Sequence, residues 1–99
     1  MLIVAGTINV DPAHVARLGE AATVMMAATM QEPGCLQYVF SVSVADPGSI
    51  QIFEAWESAE DLEEHFEMPH MAVFRAAMSE VTVIDRSLHR YEVASFEPM

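Results

Sequence analysis

Residues 35–57, with the sequence CLQYVFSVSVADPGSIQIFEAWE, consist of two apolar segments separated by a single cluster of turn residues. Cys35–Val44 and Ile50–Glu57 are rich in β-branched and aromatic residues, a composition that favours strands. Asp46-Pro47-Gly48-Ser49 between them is typical of a turn. The stretch therefore predicts a hairpin of two antiparallel strands in the middle of the chain.

A helix is predicted on each side of this hairpin. Asp11-Pro12 supplies an N-cap and a first-turn proline for the earlier helix, and Glu32-Pro33-Gly34 ends it. One face of that helix is apolar at spacings of three and four residues, which indicates packing on a sheet: Val15, Leu18, Ala22, Met25 and Thr29. Ser58, followed three residues later by an acid, resembles a capping box for the later helix. We expect that helix to run to about Glu67, to break near Pro69 and to resume to about Ser79.

The two ends of the chain complete a recognisable order of elements. Leu2–Val10 is predicted to be a buried strand, and Val81–Val93 a long last strand. The order β-α-β-β-α-β is the split βαβ arrangement of the α+β ferredoxin-like fold, formed here by one domain over residues 1–99. Such a sheet has helices on one face, yet these strands are apolar on both. We therefore expect a second copy of the chain to cover the bare face, as a homodimer.

Composition excludes several classes of function. The chain has 15 acidic residues against 4 basic ones, a net charge of −11, so neither a nucleic acid nor an anionic membrane surface is an expected partner. The single cysteine, Cys35, fits a reducing compartment. The segment that begins at Met1 lacks the basic region of a signal peptide, and no run approaches the roughly 20 apolar residues of a membrane helix. The expected location is the cytoplasm.

Two segments of the sequence carry a family likeness. Glu32-Pro33-Gly34-Cys35-Leu36-Gln37-Tyr38 resembles the E-x-G-C-x-x-Y segment of the antibiotic biosynthesis monooxygenase superfamily. Ile52-Phe53-Glu54-Ala55-Trp56-Glu57-Ser58 is similar to its E-x-W-x-S segment, and the residues that follow continue the likeness: Leu62, His65, Pro69-His70-Met71 and Phe74. The likeness covers the whole chain, and it is strongest to the bacterial quinol monooxygenases.

The resemblance implies both an architecture and an activity. It implies a dimeric α+β barrel, with a pocket between sheet and helices in each subunit. It also implies a monooxygenase that uses dioxygen on a quinol, an anthrone or a related aromatic polyketide, without a metal or flavin cofactor. Fold does not fix function, so a non-oxygenase binding protein or an isomerase on the same scaffold remains the alternative.

The heme-degrading branch of the superfamily does not fit this sequence. By resemblance, that branch needs an Asn on the first strand, followed by a Trp and a His on the helices. The corresponding positions here hold Thr7, His65 and about Met78, and Asn9 lies two residues beyond the first of them. We expect Thr7 and Asn9 to contact substrate rather than heme.

A histidine is the natural base for a reaction that begins with loss of a substrate proton. His65 is predicted to border the apolar stripe of its helix at a partly exposed position, with Asp61 one turn earlier to orient the imidazole. The plain alternative is a helix histidine that satisfies its own polar contacts. His70 follows the break at Pro69, where it could share the catalytic work or simply cap the second half of the helix.

Three strand residues complete the candidate site. Glu54 and Trp56 lie on one strand face, the first as a possible second base and the second as a flat wall with one N–H donor. Tyr38 could donate to a developing oxyanion. All three could instead be structural. Met25 is expected to line the pocket as a flexible apolar side chain, although core filling explains it equally well.

No metal or organic cofactor is expected. The chain lacks the glycine-rich phosphate-binding motifs and the paired cysteines that are typical of proteins with common cofactors. Glu54, His65, Glu67 and His70 are all ligand types, but His65 and His70 are five residues apart, about 140° around a continuous helix. The helical zinc motif uses histidines four residues apart on one face.

Overall fold

Four antiparallel strands form one sheet in the computed structural model, which describes all 99 residues. The strands are β1 (Leu2–Val10), β2 (Cys35–Val42), β3 (Ser49–Trp56) and β4 (Val83–Glu92). The helices are α1 (Val15–Thr29), α2 (Ala59–Phe66) and α3 (Pro69–Met78), with a 3-10 turn at Pro12–His14 before α1. The strand order β2-β3-β1-β4 confirms the predicted α+β ferredoxin-like fold.

The predicted hairpin is present, but its first strand, β2, is shorter than expected. β2 and β3 pair antiparallel, with Tyr38 opposite Glu54 and Val42 opposite Ile50. β2 ends at Val42 rather than Val44 because the turn begins earlier: the Ser43 amide donates to the Ser49 carbonyl over 2.9 Å. Inside the turn, the Gly48 amide donates to the Asp46 carboxylate over 2.9 Å. Two residues of the expected strand therefore belong to the connection.

Both helix starts follow the predicted capping chemistry. The Asp11 carboxylate accepts from the Ala13 amide over 2.9 Å, but the first turn is 3-10, and α1 begins only at Val15. The Ser58 hydroxyl accepts from the Asp61 amide over 3.2 Å, as in a capping box. The predicted break is also present, since Glu67 and Met68 separate α2 from α3 and Pro69 occupies the first position of α3.

The core lies between the sheet and the helices. Residues at even positions of β1 and β3, such as Val10, Ile52 and Trp56, are buried together with Leu18 and Leu62 from the helices. The opposite face of the sheet keeps half-exposed apolar side chains: Val39, Phe53 and Tyr91. No helix is both long enough and apolar enough to cross a bilayer.

The turn between α1 and β2 is tightly packed against the start of α2. Gly34 has φ of 79°, a left-handed conformation that favours glycine. A Cβ atom at this position would overlap the carboxylate of Asp61. The Gly34 carbonyl also accepts from the Glu57 amide over 2.8 Å. The turn that carries Glu32 is thereby fixed to the element that precedes His65.

Replacing Gly34 tests this packing. Gly34→Ala should lower the free energy of unfolding by about 1–3 kcal/mol, the usual cost of holding a side chain in a strained backbone conformation. Gly19→Ala is the matched control, since Gly19 lies within α1 with open space around its Cα. It should stabilise the helix by about 0.5–1 kcal/mol. Urea unfolding of both variants provides the comparison, and equal effects would contradict the packing.

Candidate active site

One carboxylate oxygen bridges two imidazoles from different helices. Glu32 Oε2 lies 2.7 Å from His65 Nδ1 and 2.7 Å from His70 Nε2. Glu32 belongs to the turn after α1, His65 to the last turn of α2 and His70 to the first turn of α3. The side chains of Glu32 and His65 are buried, whereas that of His70 is 20% exposed. The cluster therefore opens to solvent only at His70.

Local backbone hydrogen bonds place the three side chains. The Glu32 amide donates to the Thr29 carbonyl, and the Glu32 carbonyl accepts from the Cys35 amide, so the turn closes around the carboxylate. The break at Glu67 and Met68 changes the direction of the chain between the two histidines. In a continuous helix they would lie about 140° apart. The break brings both rings onto one oxygen.

Tyr38 extends the cluster by one more hydrogen bond. Its hydroxyl lies 3.3 Å from His65 Nε2, and burial raises the pKa of Tyr38 well above its ordinary value, so the phenol keeps its proton. A neutral His65 that donates from Nδ1 to Glu32 has Nε2 free to accept from Tyr38. Since His70 donates from Nε2 to the same carboxylate, its Nδ1 holds a free lone pair when the ring is neutral.

Trp56 and Glu54 form a second polar pair beside the first. The indole Nε1–H donates to Glu54 Oε1 over 3.0 Å, and both residues are buried on the helix-facing side of β3. The ring centroids of Trp56 and His65 are 4.9 Å apart, and those of Tyr38 and His65 are 5.1 Å apart. Five sequence-predicted residues therefore meet at one place: Tyr38, Glu54, Trp56, His65 and His70.

Burial governs the protonation of this cluster. It raises the pKa of the Glu54 carboxyl from 4.5 to about 7, against the hydrogen bond from Trp56 and with the help of the charge on Glu32. It lowers the pKa of the His65 imidazole below 6.5, although the hydrogen bond to Glu32 and the charge of that carboxylate act in the opposite direction. Burial thus favours the neutral form of both groups, and the Glu54 carboxyl changes its protonation near neutral pH.

The predicted environment of His65 is wrong in two respects. The residue is completely buried rather than partly exposed, because its ring packs between Trp56 and Tyr38. Asp61 does not orient the ring: its carboxylate accepts from the Ser58 hydroxyl over 2.9 Å as part of the helix cap. Glu32, which is 33 residues away in sequence, holds the imidazole instead. Truncation of His65 to alanine would therefore lower the stability of the protein.

His70 does not serve as a helix cap. Met68 occupies the N-cap position of α3, and no side chain there bonds the free amides. The imidazole turns toward Glu32 instead. The cap interpretation is therefore excluded, and the position at the helix start explains only how the ring reaches the cluster.

An apolar cleft of about 110 Å³ lies between α1 and the β2–β3 hairpin. Met26 and Phe40 are among its lining residues, together with Leu18 and Ile50. Phe40 stacks on Tyr38 with ring centroids 5.5 Å apart, so two aromatic rings separate the cleft from His65. Met25, the predicted lining residue, is only 1% exposed and belongs to the core, because α1 turns Met26 rather than Met25 toward the cleft.

Thr7 and Asn9 do not join the site. Side chains alternate along β1, and Ile8 and Val10 are buried under the helices. Thr7 and Asn9 therefore point to the opposite face of the sheet, where the Asn9 amide donates to the Asp85 carboxylate over 2.6 Å. Their prediction as substrate contacts from within this chain is corrected accordingly.

Cys35 is a poor candidate for a nucleophile. Burial, with the nearby charges of Glu32 and Glu54, raises the pKa of its thiol to about 11. The reactive thiolate is scarce at neutral pH when the pKa is this high. The sulfur contacts Met30 at 3.8 Å, so packing accounts for it.

Glu32 is the functional candidate that sequence reasoning missed. Its place in the sequence indicates only a helix stop, since Glu32-Pro33-Gly34 ends α1. A signal was nevertheless present, because Glu32 opens the segment that carries the family likeness and Tyr38 closes it. Both residues contact His65 in the structure. The cluster of Glu32, His65 and His70 also presents one carboxylate and two imidazole ligands at a single point.

Residues 1–77 match the family model of the antibiotic biosynthesis monooxygenases. The chain belongs to this family. The match covers β1 through nearly all of α3, and thus includes every residue of the Glu32–His65–His70 cluster. The resemblance seen in the two sequence segments is confirmed.

Solved structures of the antibiotic biosynthesis monooxygenase family share the fold along their whole length. A protein from Deinococcus radiodurans, provisionally described as such a monooxygenase, is 28% identical with a TM-score of 0.89, over 100% of this chain and 98% of its own. A protein from Nitrosomonas europaea with the same provisional description is 20% identical with a TM-score of 0.88, over 96% and 100%. The sequence is also similar to that of an uncharacterized protein of Synechocystis. The two are 24% identical over 98 residues, which cover 99% of this chain and 67% of the Synechocystis protein.

The raised pKa of Glu54 predicts a pH dependence of stability. Because the pKa in the folded protein, about 7, lies above the ordinary value of 4.5, the folded state binds the proton more tightly, and this contribution to stability is lost as pH rises between those values. His65 has the opposite dependence, but it is present in wild type and variant alike. Glu54→Gln should therefore gain stability relative to wild type from about pH 5 to about pH 8. Urea unfolding at both pH values measures it, and a constant difference would refute it.

Proposed function

We propose that this protein is a monooxygenase that needs no metal or organic cofactor and acts on a quinol, an anthrone or a related aromatic polyketide. The observation that carries the proposal is the chain of hydrogen bonds from Tyr38 through His65 and Glu32 to His70. Membership of the antibiotic biosynthesis monooxygenase family supports the same class of reaction.

The reaction requires removal of a proton before oxygen can react. Dioxygen is a triplet, and its direct reaction with a closed-shell phenol is slow, whereas an electron-rich substrate anion can pass one electron to it. The substrate radical and superoxide then combine to a peroxide at carbon. Loss of water leaves one oxygen atom in the product as a carbonyl, and the second leaves with the two substrate hydrogens. The protein must supply a positioned base and stabilise the anion.

His70 is the base in this proposal. It is the only member of the cluster with a partly exposed side chain, and its free Nδ1 can accept a substrate proton while Nε2 stays bonded to Glu32. A carboxylate on the far nitrogen stabilises the imidazolium that forms, as in catalytic triads. His65 is the buried positioning residue, since its own bond to Glu32 fixes the carboxylate.

The apolar surroundings favour an aromatic substrate. The cleft of about 110 Å³ is lined mainly by apolar side chains. An engineered apolar cavity of about 150 Å³ holds benzene, so the smaller cleft would take at most one ring of a larger aromatic substrate. Phe40 forms part of the cleft wall and stacks on Tyr38, so the cleft ends two rings away from His65, and the reacting group of the substrate would have to lie outside the cleft at the partly exposed His70. Dioxygen and the substrate would be the small-molecule partners.

The protein acts as a homodimer in the cytoplasm in this proposal. The sheet face opposite the helices carries Val39, Phe53 and Tyr91, all more than a third exposed in the single chain. Every residue of β4 is exposed as well, although a strand of ten residues is long for a free edge. A second copy packed on this face would cover both features. The free thiol of Cys35 fits a reducing compartment.

Oxygen uptake with a panel of quinols and anthrones tests the activity. His70→Gln keeps an N–H that can donate to Glu32 but removes the base, so kcat should fall by about 10²–10⁴-fold. His14→Gln is the matched control, because His14 lies in the 3-10 turn before α1 and takes no part in the hydrogen bonds of the cluster. An unchanged rate in His70→Gln would reject this base. No uptake with any substrate would favour the alternative, a binding protein or isomerase on the same scaffold.

Sedimentation of charge-matched variants tests the dimer. Phe53→Lys places a charge on the face opposite the helices and should convert dimers to monomers, because an unpaired charge in an interface is costly. Val24→Lys adds the same charge on α1, where Val24 is 68% exposed, and should leave the dimer intact. A monomeric wild type at micromolar concentration would show that the sheet face is not an interface.

A further inference from the structure

We propose that Glu32, His65 and His70 form a binding site for a divalent transition metal ion, for which Zn²⁺ is the probe. Each residue offers one ligand atom, and the three atoms lie within 4.8 Å of one another. They come from three separate elements, the turn after α1 and the two helices α2 and α3. The inference goes beyond the proposed oxygenase, and the binding does not depend on that activity.

The donor set suits first-row transition ions. Two imidazoles and one carboxylate are the protein ligands of several catalytic zinc sites and of the facial triads that bind Fe²⁺. Zinc bonds to these atoms are about 2.0–2.2 Å long, which places two ligands in tetrahedral geometry about 3.4 Å apart. The nitrogens now lie 2.7 Å from the carboxylate oxygen. Movements of under about 1 Å would therefore open the space for an ion.

The break between α2 and α3 removes the geometric objection to a metal. Histidines five residues apart diverge on a continuous helix, and the helical zinc motif needs a spacing of four. Here α2 ends at Phe66 and α3 begins at Pro69, so each ring approaches from its own helix. The spacing in sequence therefore says nothing against a shared ion.

The surroundings of the ligands are those of a metal site. When a metal replaces the proton on His65 Nδ1, the neutral ring keeps its single proton at Nε2, where the Tyr38 hydroxyl oxygen can accept it over 3.3 Å. Such a partner for the second nitrogen is the usual support of a histidine ligand. The net charge of −11 attracts cations, and the partly exposed His70 provides the entry side.

The ion and the proposed proton transfer would compete. Zn²⁺ would occupy His70 Nε2 and Glu32 Oε2, so the carboxylate could no longer stabilise an imidazolium at His70. We therefore expect Zn²⁺ to inhibit the proposed oxygen uptake and a chelator to restore it. The site would be inhibitory toward a reaction that itself needs no metal.

Calorimetric titration of chelator-treated protein with Zn²⁺ tests the binding. Wild type should bind one ion per chain, and Glu32→Gln and His70→Gln should each weaken the affinity at least about tenfold, as expected for loss of a ligand. His14→Gln should bind as wild type does. Circular dichroism checks folding, and if Glu32→Gln does not fold, His70→Gln at the partly exposed position decides. Equal affinity in wild type and His70→Gln, or an equal loss in His14→Gln, would overturn the site.

Two further measurements separate this proposal from the oxygenase. Co²⁺ in place of Zn²⁺ should give a visible absorption spectrum in wild type that His70→Gln loses, a readout that needs no substrate. A featureless spectrum at saturating Co²⁺ would count against coordination by these side chains. Where a substrate is found, oxygen uptake that saturating Zn²⁺ leaves unchanged would overturn the competition. Failure to find any substrate would leave the calorimetric and spectroscopic results interpretable.

Discussion

The carboxylate of Glu32 accepts hydrogen bonds from two helices, and several elements of the fold must be correctly placed for these bonds to form. It is buried, and it lies 2.7 Å from an imidazole nitrogen of His65 and of His70. A hydrogen bond to a buried charged group typically contributes about 1.5–3 kcal/mol. The turn after α1, the end of α2 and the start of α3 are therefore coupled, because each positions one member. The tight contact of Gly34 with Asp61 also holds the turn after α1 against α2, and so keeps Glu32 close to His65.

The fold could be predicted because its signals are local. Capping residues at Asp11 and Ser58, turn residues at 46–49 and the apolar face of α1 each report on neighbours within a few residues. The order of elements then leaves few topologies open. The misses at element ends have equally local causes: β2 gives two residues to its turn, and α1 begins with a 3-10 turn.

The site was harder to predict because its contacts join distant residues. Five of the predicted residues meet, since strand alternation places Tyr38, Glu54 and Trp56 on one face. Glu32 could not be found by spacing, because 33 residues separate it from His65. Asp61 was a reasonable partner at four residues, but the helix cap uses its carboxylate. The burial of His65 likewise follows from rings on β2 and β3 that no helix pattern reveals.

The two residues that separate α2 from α3 act as a spacer of fixed length. One residue more or less at Glu67-Met68 would shift and turn α3 relative to α2, and would therefore move the His70 ring away from Glu32. Residues 44–47 of the hairpin loop are exposed and have no such restriction, because no member of the cluster lies beside them. Changes in chain length among related proteins should therefore accumulate in that hairpin loop and be absent from the spacer. The number of residues between the two histidines therefore determines whether both rings can reach Glu32.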